Sequence, residues 1–226
     1  MTVSSLSVIV PVRNAMPYLP EAIAAILAQS ISPVEILVVD GNSTDGTREI
    51  VATCPQLLLL DQQGQGLAAA RNTGLAAARG DYIAFLDADD LWPADSLALR
   101  LDHLARRPTS LGVIGQVERF LQPGTPLPQA YAGGWLDRPA AGYTPGALLA
   151  HRRLYEQIGC FDESLAVGCD SEWFTRLLDG EAHFDVLPEV VLRKRIHAAN
   201  LSGAVERYRR ELLTITRRSL QRRGHL

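Results

Sequence analysis

Four short apolar runs, separated by segments of helical periodicity, constrain the fold of this chain more than any other feature. The runs predict strands at Leu6–Val10, Val34–Val39, Leu57–Leu60 and Tyr82–Leu86. The segments between them predict helices at Tyr18–Gln29, Asp45–Thr53 and Gly66–Ala78. Nearly continuous apolar strands that alternate with helices are typical of a parallel sheet covered on both faces. We therefore expect an α/β, Rossmann-like fold with a mostly parallel central sheet, whose ligands bind beyond the carboxyl ends of the strands.

The pattern becomes less regular after a predicted helix at Ala94–Ala105, because proline and glycine are frequent in the following stretch. Further strands are predicted at Gly112–Leu121, near Leu148 and at Val186–Ile196, the last interrupted by Pro188. Further helices are predicted at Arg152–Ile158 and Ser171–Leu178. We expect two halves of one domain, residues 1–106 and 107–203, followed by a C-terminal helix in residues 204–226.

The composition is that of a globular domain: the chain has 226 residues, of which 47% are hydrophobic and 21% charged. Its apolar runs are far shorter than the roughly 18 to 20 residues that a membrane-spanning helix needs. The first residues carry no basic segment of the kind that begins a signal peptide. Cys54, Cys160 and Cys169 lack the spacing of a disulfide framework or a zinc site. These features predict a cytoplasmic location.

The last part of the chain is basic. Residues 204–226 hold seven arginines and two glutamates, so the charge of this segment is about +5. Because the net charge of the chain is −3, the charge of the other residues is about −8. Val205, Tyr208, Leu212 and Ile215 recur at helical spacing. The segment is interpreted either as a helix docked on the body, or as a helix that contacts anionic lipid at the inner face of a membrane or an acidic partner. The arginines are not interleaved with aromatic residues, so we expect no nucleic-acid partner.

Three carboxylates follow the fourth predicted strand directly, in Asp87–Asp90 (DADD). Acidic side chains crowded on one loop repel each other, and a hard divalent cation relieves that repulsion through carboxylate oxygens and substrate phosphates. The alternative is an acidic cap on the helix that follows. The position of the loop, at the carboxyl end of a buried strand, favours a site for a metal ion and a phosphate.

Four motifs stand in order in the first hundred residues: SVIVPVRN (7–14), VVDGNSTDG (38–46), GLAAARNTGLAAARG (66–80) and DYIAFLDADD (81–90). Together they resemble the nucleotide-binding half of family 2 glycosyltransferases with the GT-A fold. Later in the chain, CDSEW (169–173) and RIHAANLS (195–202) are similar to the family's acceptor-side acidic motif and closing histidine segment. The resemblance implies a GT-A fold with a less regular acceptor-side half.

The resemblance also implies a nucleotide-sugar donor and its contacts. The expected nucleotide-binding residues are Pro11, Val12, Arg13, Asp40, Arg71 and Asp87. In the family, the acid at Asp40 faces the base or ribose, and the arginine at Arg71 reaches the nucleotide. Residues 11–14 can instead form a simple turn, Asp40 can cap a helix, and Arg71 can lie on the surface.

The metal and the base are implied in the same way. Asp89, supported by Asp90, would ligate Mn²⁺ or Mg²⁺ that bridges the two phosphates, and His197 would complete the shell. Arg193–Arg195 would suit the diphosphate. The base that takes the acceptor proton is Asp170, with Glu172 as the alternative, since Cys169 stands where relatives have a glutamate. Both acids also fit the favourable charge of a helix N-terminus.

The sugar contacts are open. Gly142–Gly146 would let the chain pass close to the donor sugar, and it could equally be an ordinary loop. Trp135, Tyr143 and Trp173 are candidates for stacking on a sugar, although aromatic residues more often pack in a core.

The sequence therefore predicts a metal-dependent, inverting glycosyltransferase that uses a nucleotide sugar, with a uridine diphosphate sugar as the first donor to consider. The acceptor can be a glycan, a lipid-linked molecule or a peptide, and the oligomeric state is open. A nucleotidyltransferase is disfavoured because no glycine-rich N-terminal loop is followed by lysine. The alternative from another class is a degenerate subunit that binds the nucleotide sugar, or serves as a scaffold, without turnover.

Overall fold

The computed structural model describes residues 5–127, 136, 138–198, 200 and 205–225. The strands are β1 (Leu6–Val12), β2 (Glu35–Asp40), β3 (Leu57–Asp61), β4 (Tyr82–Phe85), β5 (Gly112–Leu121), β6 (Ala140–Ala141), β7 (Leu148–His151) and β8 (Phe184–Ile196). The helices are α1 (Leu19–Leu27), α2 (Thr47–Ala52), α3 (Gly66–Ala77), α4 (Ser96–Arg106), α5 (Arg152–Ile158), α6 (Cys169–Asp179) and α7 (Val205–Arg222). Each strand and helix predicted in the first 106 residues is present, with its bounds within two residues of the prediction.

The described strands form one mixed sheet, in which hydrogen-bonded neighbours follow the order β3-β2-β1-β4-β7-β5-β6. Strand β8 also pairs with β5. Strands β1 to β4 are mutually parallel. β7 is antiparallel to both β4 and β5, and β8 is parallel to β5. The predicted, mostly parallel sheet is therefore confirmed, and the carboxyl ends of β1 to β4 meet along one edge.

The strand predicted to break at Pro188 runs from Phe184 to Ile196. Its pairing with β5 shifts register between Ile114 and Val117, on the partner strand opposite Pro188. Proline cannot donate a ladder hydrogen bond, and an edge strand with an irregularity accommodates it. The register shift accommodates the hydrogen bond that Pro188 cannot donate, and β8 continues beyond it to Ile196.

The core has two layers, one on each face of the sheet. Val8 and Val10 of β1 pack on the face covered by α1 and α4, whereas Ile9 packs on the face covered by α3, α5 and α6. Successive strand side chains point to opposite faces, so a strand buried on both faces is mostly apolar. All seven residues of β1 are buried, and six of them are apolar, the exception being Ser7.

Gly74 allows α3 to lie unusually close to the sheet. A Cβ placed at Gly74 would be 2.3 Å from Cγ2 of Ile9 and 3.3 Å from Cγ2 of Val39. A contact of 2.3 Å is impossible without movement of a packed core residue. The small residues of α3 therefore set its distance from β1 and β2.

The C-terminal helix α7 packs against α6. Ile215 is buried in the core layer that contains α6, and three of the seven arginines pair with acids of the body. These pairs are Arg218–Asp162 (2.7 Å), Arg222–Asp179 (2.9 Å) and Arg223–Asp179 (2.6 Å). The contacts are those of a docked helix, and the outward face, which includes Leu213, is exposed.

Within the described residues, no helix is long and apolar enough to cross a membrane. The three cysteines are free thiols: Cys169 is buried, Cys54 half-buried and Cys160 exposed.

Candidate active site

A cleft of about 970 Å³ opens at the edge where β1 to β4 end. Four loops reach it, one from each of these strands, and β8 and α6 close its other side. The lining includes Pro11, Val12, Arg13, Gly41, Asn42, Gln62, Gln65, Gly66, Asp87, Asp89, Asp170, Lys194 and His197. The topology thus brings most of the predicted site residues together.

The loop after β1 is held against the loop after β2 by reciprocal hydrogen bonds. The Asn14 backbone N–H donates to Ser43 Oγ at 2.8 Å, and the Thr44 N–H donates back to Asn14 Oδ1 at 2.8 Å. Asn14 has a positive φ of 50°, which asparagine tolerates better than most residues. These bonds fix residues 11–13 along the cleft wall.

Asp40 lies behind this wall and does not line the cleft. Its buried carboxylate accepts hydrogen bonds from the Ser43 backbone N–H at 3.2 Å and from Arg48 Nη1 at 2.7 Å. Burial raises the pKa of Asp40, but the bonds from Ser43 and Arg48 outweigh it and lower the pKa below 3.8. The carboxylate organises the loop, and its contact with a nucleoside stays a prediction.

Arg71 is fully buried beneath the cleft, on α3. One of its terminal nitrogens donates to Asp87 at 2.9 Å, and the other donates to Asp170. Burial disfavours its charge, but the two carboxylates outweigh burial and raise the pKa of Arg71. The sequence did not reveal this bridging position, and a direct contact of Arg71 with the nucleotide stays a prediction.

The two carboxylates that share Arg71 differ in proton affinity. Burial raises the pKa of Asp87, but Arg71 and Lys194 outweigh it, so the pKa is lowered. At Asp170, burial dominates and the nearby charge of Asp87 adds to it, so the pKa is raised above 3.8 despite Arg71. Two carboxyl groups with pKa values pushed apart can hold different roles, one as a fixed charge and the other as a proton acceptor.

Asp89 and His197 face each other across the cleft edge. His197 Nε2 lies 3.0 Å from Asp89 Oδ2, and the His197 ring lies 4.5 Å from that of Tyr18. Asn200 Nδ2 donates to the same Asp89 oxygen at 3.2 Å. Carboxylate oxygen with imidazole nitrogen is a donor set that suits Mn²⁺, and oxygen alone suits Mg²⁺.

Among the described residues, no three histidine, cysteine, aspartate or glutamate side chains come together as a ready metal cage. Asp89 and His197 could supply two ligands of a cation. Mg²⁺ at substrate phosphates usually takes its other ligands from phosphate oxygens and water.

In the basic segment at the end of β8, Lys194 and Arg195 lie in different surroundings. Lys194 lines the cleft, and Asp90 is 3.4 Å from its amine. Asp90 raises the pKa of Lys194 and outweighs burial, so the amine stays charged. Arg195 is buried between the rings of Tyr18 and Phe120 and donates to the Asp89 carbonyl at 3.0 Å.

Asp90 is buried and does not line the cleft. It accepts a hydrogen bond from the Arg195 backbone N–H at 2.9 Å. Burial and the charges of Asp89 and Asp87 raise its pKa to about 7, although Lys194 lowers it. It supports the loop of Asp89 from behind rather than facing the cleft.

Glu172, the alternative base, points away from the cleft. It is buried and accepts from Arg176 Nε at 2.9 Å, one helical turn later. Asp170 faces the cleft because residues two apart on a helix point in different directions, about 200° around the axis. Of the two candidate acids, Asp170 alone lies where an acceptor could reach it.

Helices α6 and α7 and the loop before β7 form the part of the cleft that contains Asp170. Ser171, Tyr208 and Tyr143 are among its lining residues. Trp173 is fully buried and packs on Tyr155, Phe161 and Phe174, so the expectation that it stacks on a sugar is wrong. Trp135 lies outside the described residues.

The Gly142–Gly146 loop does pass along the cleft. Gly142 is required by packing, since a Cβ there would be 2.3 Å from Val117 Cγ2. The Tyr143 ring stands edge-on to Phe174 and Phe184, at 6.0 and 6.4 Å between centroids. Two such contacts hold an exposed ring in one orientation.

Sequence reasoning missed Tyr208, Ser171 and Asn200. In the sequence, Tyr208 belongs to the apolar residues of an amphipathic helix, and nothing local indicates a role for its hydroxyl. Asn200 lies three residues after His197 in the segment RIHAANLS. This short separation is the feature of the sequence that could have identified Asn200.

The chain is similar to proteins of one known family. The family described as "Glycosyl transferase family 2" matches residues 7–161. A protein of Bacillus subtilis described as "Putative teichuronic acid biosynthesis glycosyltransferase TuaG" is 36% identical over 126 residues, which cover 54% of this chain and 50% of that protein. Chondroitin synthase of Escherichia coli is 25% identical over 206 residues, 87% of this chain and 29% of the relative. The chain spans half or less of the length of these relatives.

Two solved structures share the fold. S. aureus TarS 1-349 in complex with UDP-GlcNAc has a TM-score of 0.72 at 20% identity, over 93% of this chain and 65% of that one. Mannosyltransferase PcManGT from Pyrobaculum calidifontis, in complex with GDP-Man and Mn²⁺, has a TM-score of 0.69 at 26% identity, over 96% and 64%. The GT-A fold predicted from the sequence is confirmed.

Proposed function

Because the chain belongs to glycosyl transferase family 2, we propose that it transfers a sugar from a nucleoside diphosphate donor to an acceptor hydroxyl. The observation that carries this proposal is that one cleft holds both the Asp89–His197 pair and Asp170. The first pair suits a cation on a diphosphate, and Asp170 suits a base for an incoming hydroxyl. The donor to test first is a uridine diphosphate sugar, and guanosine diphosphate mannose is the second.

The donor would lie along the loops after β1, β2 and β3, with Pro11, Val12 and Arg13 beside the nucleotide. Asp87 would contact the ribose or a water on the cation. Asp89 and His197 would hold Mn²⁺ or Mg²⁺, which, when bound, offsets the charge on the departing diphosphate. Lys194 and Arg13 line the same cleft and bring further positive charge to the phosphates.

In the transfer step, Asp170 takes the proton of the acceptor hydroxyl. The acceptor oxygen forms a bond to the anomeric carbon while the bond from that carbon to the diphosphate oxygen breaks. The bonding electron pair leaves with the nucleoside diphosphate. A single displacement from the face opposite the leaving group inverts the anomeric configuration.

The raised pKa of Asp170 suits this role, because a base has to hold the proton it takes. Arg71 binds one side of the carboxylate and orients it, while the rest of the group faces the cleft. Asp40 would act through the loop that it organises. Glu172 has no place in the step because its carboxylate pairs with Arg176 and Arg222 and does not line the cleft.

The acceptor is proposed as a hydroxyl-bearing glycan, free or lipid-linked. A lipid-linked acceptor would bring the protein to a membrane surface, where the exposed Arg210 and Arg217 of α7 would face anionic headgroups.

The test combines binding and turnover. Thermal unfolding is measured with UDP, GDP, UDP-GlcNAc and GDP-mannose, each with and without Mn²⁺, since a ligand of the native state raises the apparent stability. Release of the nucleoside diphosphate from the two sugar donors is then followed with glycoside acceptors. Metal-dependent stabilisation with turnover supports the proposal. Stabilisation without turnover identifies a binding subunit, and no response to any nucleotide rejects the donor site.

A further inference from the structure

Helix α7 does more than cover the core, because it contributes a side chain to the cleft. Tyr208 lines the cleft, and its hydroxyl lies 2.9 Å from Ser171 Oγ, on the residue that follows Asp170. We propose that Ser171 and Tyr208 form the acceptor subsite, which holds a sugar ring of the acceptor with one hydroxyl against Asp170. This inference rests on the proposed transfer function.

The position of Tyr208 is fixed by two neighbouring contacts on the same face of α7. One turn later, the Glu211 carboxylate accepts hydrogen bonds from the backbone N–H groups of Ala166 (3.0 Å), Val167 (3.0 Å) and Gly168 (2.6 Å). These three groups lie immediately before α6, which carries Asp170. The next turn buries Ile215 in the core.

Gly168 lets the two helices meet this closely. A Cβ at Gly168 would lie 3.0 Å from Ile215 Cδ1 and 3.1 Å from Glu211 Oε2. The N-terminus of α6 and the middle of α7 are therefore built as one unit. The separation of Tyr208 from Asp170 is determined by that unit rather than by a free loop.

The chemistry of this wall matches a sugar. The Ser171 and Tyr208 hydroxyls can each donate and accept, so they can exchange their mutual bond for bonds with sugar hydroxyls. The Tyr143 ring lies in the same cleft and is held by Phe174 and Phe184. An aromatic ring and paired hydroxyls in one cleft fit a pyranose, which presents apolar C–H groups and a rim of hydroxyls. Within the described lining, the carboxylates are Asp170 and the donor-side acids Asp87 and Asp89. A basic side chain of a peptide acceptor would therefore have no further carboxylate to pair with in this lining.

The subsite also lies apart from the nucleotide loops along the chain. The family match ends at residue 161 and includes these loops and Asp89. Ser171 and Tyr208 lie beyond it, as do His197 and Lys194 on the donor side. Acceptor choice in this protein would thus be set by α6 and α7, beyond the residues that match the family.

The experiment is a kinetic comparison with the full chain, Mn²⁺, UDP-GlcNAc or GDP-mannose as donor and a panel of p-nitrophenyl glycosides as acceptors. The variants are Tyr208→Phe and Ser171→Ala, each of which removes one hydroxyl. Tyr82→Phe is the matched control: it removes the same group from β4, where the ring contacts His151 outside the cleft. Loss of one hydrogen bond to the acceptor should raise its KM roughly 5- to 20-fold, while the KM for the donor stays within about twofold.

Each outcome decides between the two proposals. If the wild type transfers and both variants keep its acceptor KM, the subsite is rejected and the transfer function stands. Equal increases in donor and acceptor KM indicate a structural defect and also reject the subsite. A wild type that transfers to water but to no glycoside rejects the subsite, because the proposal commits it to a sugar. A wild type without any turnover rejects both proposals.

Discussion

The buried guanidinium of Arg71 donates to the carboxylate of Asp170, which lies 99 residues later in the chain. The same guanidinium donates to Asp87, so one cation joins the loop after β4 to the first turn of α6. A planar guanidinium can serve two carboxylates at once because its donors are arranged in a fixed fork. Arg71 thereby connects the two sides of the cleft.

Replacing Arg71 with methionine should destabilise the protein strongly. The change keeps most of the volume but leaves Asp87 and Asp170 together without their cation, and removal of one partner of a buried ion pair costs about 3–5 kcal/mol. Because both acids are partly exposed, we expect the lower end of that range. Urea unfolding at neutral pH measures the change.

Arg106→Met is the matched control for this variant. Arg106 pairs with Asp102 one turn away, and both side chains are exposed. Exposed pairs of this kind contribute about 0.3–0.5 kcal/mol. If the two variants lost the same stability, the bridging role of Arg71 would be wrong.

Asp89→Asn and Asp170→Asn should separate binding from transfer. The first removes a carboxylate charge from the proposed cation site, so Mn²⁺-dependent stabilisation by the nucleoside diphosphate should disappear. The second should keep that stabilisation and lower kcat by roughly 100- to 10,000-fold, the usual contribution of a positioned base. Thermal unfolding and initial rates measure the two effects.

Glu172→Gln completes this comparison. Glu172 lies outside the cleft and pairs with Arg176, so its loss should appear in stability. Full transfer by Asp170→Asn together with inactivity of Glu172→Gln would reverse the assignment of the base.

Glu211→Gln should destabilise the protein in a pH-dependent way. Burial raises the pKa of Glu211, but the backbone N–H groups of Gly168, Ala166 and Val167 outweigh it and lower the pKa below 4.5. A carboxylate with a lowered pKa in the folded state stabilises fully above its unfolded pKa and loses that contribution as pH falls through the folded value. The difference in unfolding free energy between wild type and variant should be full at pH 7 and shrink below pH 4.5.

This prediction is checked by urea unfolding at a series of pH values. A difference between wild type and Glu211→Gln that stays constant down to the acid transition would show that the ionised carboxylate does not hold the turn before α6.

Gly74→Ala should destabilise, although alanine is the better helix former by about 1 kcal/mol. The new methyl group would lie 2.3 Å from Ile9 Cγ2 in a fully buried layer, and overpacking of a core costs about 1–3 kcal/mol. In a double-mutant cycle with Ile9→Ala, the stability losses of the two single variants should sum to more than the stability loss of the double variant. Additive losses, or a stabilised single variant, would show that α3 can move away from the sheet freely.

The sequence was sufficient for the fold of the first half because its strands are short apolar runs and the segments between them have helical periodicity. The position of the loop after β4 was also predictable, since the loops that follow parallel strands lie at the carboxyl edge of the sheet. Which of its acids line the cleft was not. The sequence could not predict the direction in which individual side chains point. Arg71 stands in a helix of small residues, and nothing local shows that its partner is 99 residues away.

The choice between Asp170 and Glu172 illustrates the same limit. Their spacing shows that they point to different sides of a helix, but only the packing of α6 shows which side faces the cleft. Tyr208 was hidden for a related reason, because its ring fits an apolar stripe and its hydroxyl partner, Ser171, is 37 residues earlier.

The contact between Asp89 and His197 joins positions 108 residues apart, and this has a consequence for synthesis. At roughly 5–20 residues per second, a ribosome needs roughly 5–20 s to add the second group after the first. During that interval β1 to β4 have been made, but His197 has not. If Asp89 and His197 hold the cation as proposed, a nascent chain gains affinity for a metal-bound nucleotide only when β8 has been made and added to the sheet.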